Sequence, residues 1–303
     1  MAINAINRFH NIFMTYELIL TENCNRNCSF CDIKKTDYVE TAENIWNFYQ
    51  TFDRSQKYTL VFFGGEPLLN IDGINEMMHL VEDDDCDIRL ITNGDFIDRF
   101  SRIYDKDRIK VQISAYDIFK DYKKYFDIHG MLGEGMNLSY VFTENDIGRI
   151  REYKEISEAI GSDYTYSLSH SERSWEKIDA EMLRRRIADL AYHEITSRKH
   201  IVLDRYVKRF LELRRNGDIQ ERCCIDSGKM ILHRGRIIRG CALLDGMDIG
   251  KQTLGIGKCS DCYYRKICFK SCFYERVNGN IPEKLCLIEK TLVDCAYSFC
   301  RRI

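Results

Sequence analysis

The sequence predicts an α/β protein: a parallel sheet built from repeated βα units, followed by a small tail held by metal rather than by a large core. Three observations predict it. Between Tyr16 and Leu168, short β-branched or aromatic runs alternate with longer amphipathic segments. The runs are apolar nearly throughout, as strands covered on both faces by helices are. Ten of the fourteen cysteines crowd into Cys223 to Cys300, where Gly and Cys replace regular periodicity.

Taken in order, the strands are expected at Tyr16–Leu20, Tyr58–Phe63, Ile88–Thr92, Lys110–Ser114, Asn137–Phe142 and Asp163–Leu168. The helices between them are expected at Ala42–Phe52, Ile71–Val81, Phe96–Ile103, Ile118–Phe126 and Asp146–Ile160. Six βα units fall short of the eight in a closed barrel. Asp179–Ser197 and Ile201–Arg215 read as two further charged helices, ended by Asn216-Gly217 as a C-cap and domain boundary. The chain therefore divides into residues 1–217 and 218–303.

Composition excludes several classes. With 303 residues, 45% apolar and 30% charged, the chain has the balance of a globular protein, which rules out disordered and fibrous readings. No run approaches the roughly 18–20 apolar residues of a membrane span, and Met1 to Ile12 lacks a signal-like apolar core. The expected location is the cytoplasm, where thiols stay reduced, so metal explains fourteen cysteines better than disulfides do. Net charge is −2, yet residues 1–150 carry 16 basic and 25 acidic side chains against 29 and 22 in the remainder. The basic excess serves either as a solvated helix surface or as a site for an anionic partner.

Cys24, Cys28 and Cys31 follow the first predicted strand directly, on the loop at its C-terminal end, where α/β barrels place their chemistry. Zinc asks for four ligands, and no fourth lies nearby. Three thiolates suit three irons of a [4Fe-4S] cluster and leave the fourth iron open.

A C-x-x-x-C-x-x-C string after strand one, joined by Gly64-Gly65-Glu66-Pro67 straight after strand two, resembles the radical S-adenosylmethionine (SAM) superfamily. The resemblance implies a partial (β/α)6 TIM-like barrel over roughly the first 215 residues. It implies that SAM chelates the open iron, and that one-electron reduction yields methionine and a 5′-deoxyadenosyl radical able to abstract hydrogen from an unactivated carbon. On that resemblance Gly64 and Gly65 give close backbone approach to the cofactor and Glu66 a carboxylate for its ammonium. Phe30 lies by the adenine, Ser114 reaches the ribose, and Asn93, within Thr92-Asn93-Gly94, joins the cofactor site or merely forms a turn.

Farther on, Cys259, Cys262, Cys268 and Cys272 are spaced C-x2-C-x5-C-x3-C, with Cys286 after them and Cys224 and Cys241 before. A zinc ribbon explains four of these, not seven. The array resembles the SPASM domain, which houses two auxiliary [4Fe-4S] clusters, for three clusters in all. The resemblance implies Cys224, Cys241 and Cys272 on the nearer cluster, completed by Cys223 or by an open iron, and Cys259, Cys262, Cys268 and Cys286 on the outer one. Gly235 stands one residue farther from Cys241 than the family pattern has it, and a bulge in the hairpin Lys229–Arg239 is expected to absorb the difference. Cys86, Cys295 and Cys300 lack motif spacing and read as apolar fillers.

SPASM relatives commonly act on peptides or proteins, so the resemblance implies a peptide or protein substrate and a reductant such as flavodoxin or ferredoxin. The alternative is modification of a small molecule or a nucleic-acid base, favoured by the basic second half and by the short stretch before Cys24, which leaves no room for a leader-binding module. Ala242 stands where sulfatase-maturing relatives carry a catalytic Asp, which argues against that activity. No catalytic base is assigned; Asp245, and His170 with Ser169 and Glu172 after the sixth strand, are candidates.

Overall fold

The computed structural model describes residues 14–31, 33–197, 201–217, 229–240, 262–264, 267–268 and 283–301. They form two compact units, each described by itself: one from residues up to 27, 32–113 and 224–247, the other from 28–31, 114–223 and 248 onward.

In the first unit, strands β1 (Thr15–Ile19), β2 (Tyr58–Phe63), β3 (Cys86–Thr92) and the body of β4 (Ile109–Ser114) lie side by side, all parallel. Apolar side chains fill one face of the central strands: Tyr16, Leu18, Leu60 and Phe62, which share it, are fully buried. Helix α1 (Ala42–Tyr49) begins at Thr41, whose hydroxyl accepts the Asn44 N–H at 3.2 Å. Helix α2 (Ile71–Leu80) begins at Asn70, whose Oδ1 accepts the Gly73 N–H while Nδ2 donates to the Leu20 carbonyl. Asn70 thus caps a helix and pins the end of β1 at once. The helix expected at Phe96–Ile103 is a 3-10 helix over Ile97–Arg102.

On the other side of β1 lies a strand from far along the chain. Strand β7 (Lys229–His233) pairs parallel to β1, with Tyr16 opposite Met230, and β8 (Arg236–Arg239) returns antiparallel to β7. The β7–β8 register is regular from Met230–Arg239 to His233–Arg236, so the expected bulge is absent between 229 and 239. The turn is instead a two-residue loop with positive φ at both Arg234 (53°) and Gly235 (67°), the primed geometry that matches strand twist.

In the second unit, β5 (Met136–Phe142) and β6 (Asp163–Leu168) pair in parallel. Burial along β6 alternates, with Tyr164, Tyr166 and Leu168 inward and Asp163, Thr165 and Ser167 exposed, so this strand is covered on one face only. Helix α3 (Tyr122–Leu132) starts later than expected because Asp121 caps it, accepting the Lys124 N–H. Helices α4 (Ile150–Ile160), α5 (Ala180–Ser197) and α6 (Asp204–Asn216) follow, and glycines in left-handed conformation, Gly161 and Gly217, end α4 and α6. A seventh helix, α7 (Glu283–Cys300), corrects the expectation of an aperiodic tail. It buries Leu285, Ile288, Leu292, Val293 and Ala296, and it packs on α5 and α6.

These parallel strands and covering helices are those of an α/β, partial TIM-like barrel. Among the described residues no helix is long and apolar enough to cross a membrane.

Candidate active site

At the C-terminal ends of β1 and β2 the chain continues the parallel pairing past both strands. Gly65 N–H donates to the Thr21 carbonyl at 2.6 Å, and Glu66 N–H donates to the Asn23 carbonyl at 2.8 Å. Two glycines are required by this contact. A Cβ on Gly65 would stand 2.3 Å from the Asn23 oxygen, and one on Gly64, whose φ is +144°, would stand 2.5 Å from the Thr21 oxygen. The glycine pair therefore seats the Thr21–Asn23 stem of the cysteine loop by a close backbone approach.

Glu66 follows the glycine pair at the end of β2. Its side chain is 0% exposed and turned into the protein. Oε1 accepts the Leu68 N–H at 3.1 Å and the Thr92 hydroxyl at 2.6 Å, and Oε2 accepts the Asn93 N–H at 2.8 Å. Burial pushes its carboxyl above the usual range, and these three donors pull it back. Glu66 thereby ties the end of β2 to the turn after β3.

That turn reaches the first cysteine. Asn93 Nδ2 donates to Asn25 Oδ1 at 2.9 Å and lies 3.8 Å from Cys24 Sγ, which also accepts the Arg26 N–H at 3.4 Å. Arg26 holds Asp95 through Nε and Nη2, each at 2.6 Å, and Asn25 donates to the same carboxylate. The Cys24 loop is thus anchored at Thr21, Asn93 and Asp95. Arg26 and Asp95 were not singled out from sequence; their separation of sixty-nine positions hides the pairing.

In the second unit, Cys31 N–H donates to the Cys28 carbonyl at 3.1 Å, closing a turn that leaves Cys31 exposed and Cys28 half-buried. The half-buried Phe30 ring meets the Tyr116 ring edge-on at 5.4 Å, and Tyr116 is exposed. Ser114 is half-buried at the end of β4. Among the described residues no three His, Cys, Asp or Glu side chains are gathered as a metal site. The donor set nonetheless suits an iron-sulfur cluster: three thiols in eight residues, with N–H donors already facing one of them.

Of the C-terminal thiols, Cys223, Cys224, Cys241, Cys259 and Cys272 lie outside the described residues, as does Asp245. Cys262, Cys268 and Cys286 are half-buried. Behind Cys268 stands a group that sequence reasoning missed. Arg209 of α6, 5% exposed, donates to the carbonyls of Ile267 and Cys268, both at 3.2 Å, while Tyr206 donates to Glu289 at 2.8 Å. Burial lowers the Arg209 pKa and raises that of Tyr206. Their inward positions one turn apart on α6 are legible in the helix pattern, but a charged residue there reads as solvent-facing.

Cys86, Cys295 and Cys300 are half-buried rather than buried, and burial raises all three thiols. Ser169 is structural: it shares a hydrogen bond with Ser174, accepts the Ser171 N–H and gives its carbonyl to Trp175. His170 is exposed.

Residues 18–130 match the Radical SAM superfamily. No curated protein matches the chain. Among solved structures, a histidine-tagged anSMEcpe with bound AdoMet superposes with a TM-score of 0.66 at 13% identity, covering 96% of this chain and 98% of that one. Native anSMEcpe with bound AdoMet and Cp18Cys peptide gives 0.64 at 13% identity, covering 95% and 98%. SuiB of Streptococcus suis bound to its precursor peptide SuiA gives 0.61 at 16% identity, covering 89% of this chain and 74% of that one.

Proposed function

We propose that this chain, a radical SAM enzyme, abstracts hydrogen from a side chain of a ribosomally made peptide or protein. One observation carries the substrate class: proteins sharing its fold over nine-tenths of its length were crystallised with peptides, one of them a precursor peptide. The family membership rests on the matched domain and implies SAM and one [4Fe-4S] cluster.

In this reading Cys24, Cys28 and Cys31 hold the cluster, and when bound the cluster and SAM together supply the 5′-deoxyadenosyl radical. The protein's part is placement. Gly64 and Gly65 seat the loop stem, Glu66 fixes the Thr92–Asn93 turn, and Asn93 fixes Cys24. Phe30 and Ser114 face the nucleoside end of the cofactor. Residues 218–303 form a SPASM-like segment whose cysteines hold two auxiliary clusters, Cys223 completing the nearer one and Cys268 braced by Arg209. A flavodoxin- or ferredoxin-like reductant and a cytoplasmic location complete the proposal.

The test is isotope transfer. Iron-loaded enzyme, reduced in the presence of SAM, is offered a perdeuterated peptide pool that includes the short peptides encoded next to its gene. Deuterium in 5′-deoxyadenosine is expected. Deuterium arriving only from labelled nucleosides, oligonucleotides or small metabolites overturns the peptide reading in favour of the alternative.

A further inference from the structure

Two residues before Cys24, Glu22 is 1% exposed, a position where a carboxylate persists only with strong partners. Its partners come mainly from the β7–β8 turn, more than two hundred positions away. Arg234 grips it with two parallel hydrogen bonds, Nε to Oε1 at 2.7 Å and Nη2 to Oε2 at 2.8 Å, and His233 Nε2 meets Oε1 at 2.7 Å. The Thr36 hydroxyl donates to the same carboxylate. A second carboxylate, Glu40, 4% exposed, accepts the Gly235 N–H at 2.9 Å and holds Tyr38 and Asn44.

Arg234 is one of two described non-glycine residues with positive φ, a conformation that costs an ordinary side chain free energy. The turn would form more easily with glycine there, so hairpin geometry alone does not account for arginine. The guanidinium does: from this backbone it closes the two-pronged contact with Glu22.

Glu22 is also where forces on the loop converge. Its N–H donates to the Tyr38 carbonyl, the adjacent Thr21 carbonyl receives Gly65, and the following Asn23 carbonyl receives Glu66. A displacement of Glu22 is therefore passed through two peptide units to Cys24.

Building on the cluster reading above, we infer that Arg234, with His233, is a positioning residue for the three-cysteine loop: acting through Glu22, the β7–β8 turn sets where Cys24 stands. The C-terminal part of the chain thereby enters the construction of the first site.

Arg234→Gly is the informative variant, because glycine keeps the turn's backbone while removing the guanidinium. In iron-loaded enzyme, amide exchange in the peptide covering 20–31 is expected to rise about tenfold, and SAM affinity to fall by a similar factor, with exchange in β3 unchanged. Arg234→Lys recovers part of both. Should Arg234→Gly fail to fold, Glu22→Gln, which keeps shape and loses charge, is held to the same expectation. Exchange and affinity within twofold of the parent enzyme overturn the inference. A SAM-induced change in the reduced-cluster EPR signal that survives Cys24→Ala overturns the cluster reading instead.

Discussion

Adding one methyl group at Gly65 probes the load carried by the glycine pair. The new Cβ would lie 2.3 Å from the Asn23 carbonyl oxygen and 2.7 Å from the carbonyl carbon and oxygen of Glu22, all backbone atoms that no rotamer change can move. Restoring ordinary contact takes a displacement of about 1 Å at the nearest pair. That separation weakens the Gly65–Thr21 and Glu66–Asn23 hydrogen bonds, each contributing about 0.5–1.5 kcal/mol net. Overpacking adds about 1–3 kcal/mol, for a total of about 2–6 kcal/mol. At roughly 2–4 °C per kcal/mol for a chain of this size, Gly65→Ala should melt at least about 4 °C below the parent. Cluster iron should fall with it, since the displaced backbone is the stem of the Cys24 loop. Gly130→Ala is the control: it lies within α3 with no atom within 4 Å of the added Cβ, so it should be neutral or stabilising by about 0.5–1 kcal/mol. Melting of Gly65→Ala within 2 °C of Gly130→Ala, by differential scanning calorimetry, would refute the reasoning.

Other expectations follow from the same geometry. Glu66→Gln sets an amide N–H₂ among three donors, so it should cost about 1–3 kcal/mol in urea unfolding; an unchanged midpoint would show that the buried carboxylate carries no load. His193 is held below its usual pKa by burial and by Lys154 and Arg151, so the fold favours its uncharged form. Its contribution is present above pH 6.5 and lost as pH falls, so melting should drop more steeply between pH 7 and 5 in the parent than in His193→Gln; parallel curves count against this. Arg209→Met removes both bonds to the Ile267 and Cys268 carbonyls; if the C-terminal thiols hold clusters as proposed, iron retained in a Cys24→Ala background should fall with this substitution, and full retention would separate Arg209 from any metal-binding role.

The sheet was legible because its strands are contiguous runs: Tyr58–Phe63 and Asp163–Leu168 have the bounds the residues suggest. Helix α7 was not, because the crowding of cysteines from Cys223 to Cys300 masks the single apolar face formed by Leu285, Ile288 and Leu292. At the site, Cys24 and Gly64-Gly65-Glu66 were readable as local strings, yet what the glycines touch and which way Glu66 points depend on β1 and β2 lying side by side. The grip of Arg234 on Glu22 was hidden more deeply, since a surface-looking Arg in a hairpin turn acquires its partner only when β7 joins β1. Long-range pairing of charges leaves no periodicity to read.

The most direct measurement is cofactor cleavage. Anaerobically reconstituted enzyme, reduced with dithionite and supplied with SAM, is assayed by mass spectrometry for 5′-deoxyadenosine and methionine, alongside Cys24→Ala, Cys28→Ala and Cys31→Ala. Both products are expected in equal amounts from the parent enzyme and none above background from each variant, with iron still bound at the C-terminal cysteines. An iron-loaded parent that releases no 5′-deoxyadenosine, or a Cys24→Ala variant that releases it undiminished, would contradict the assignment.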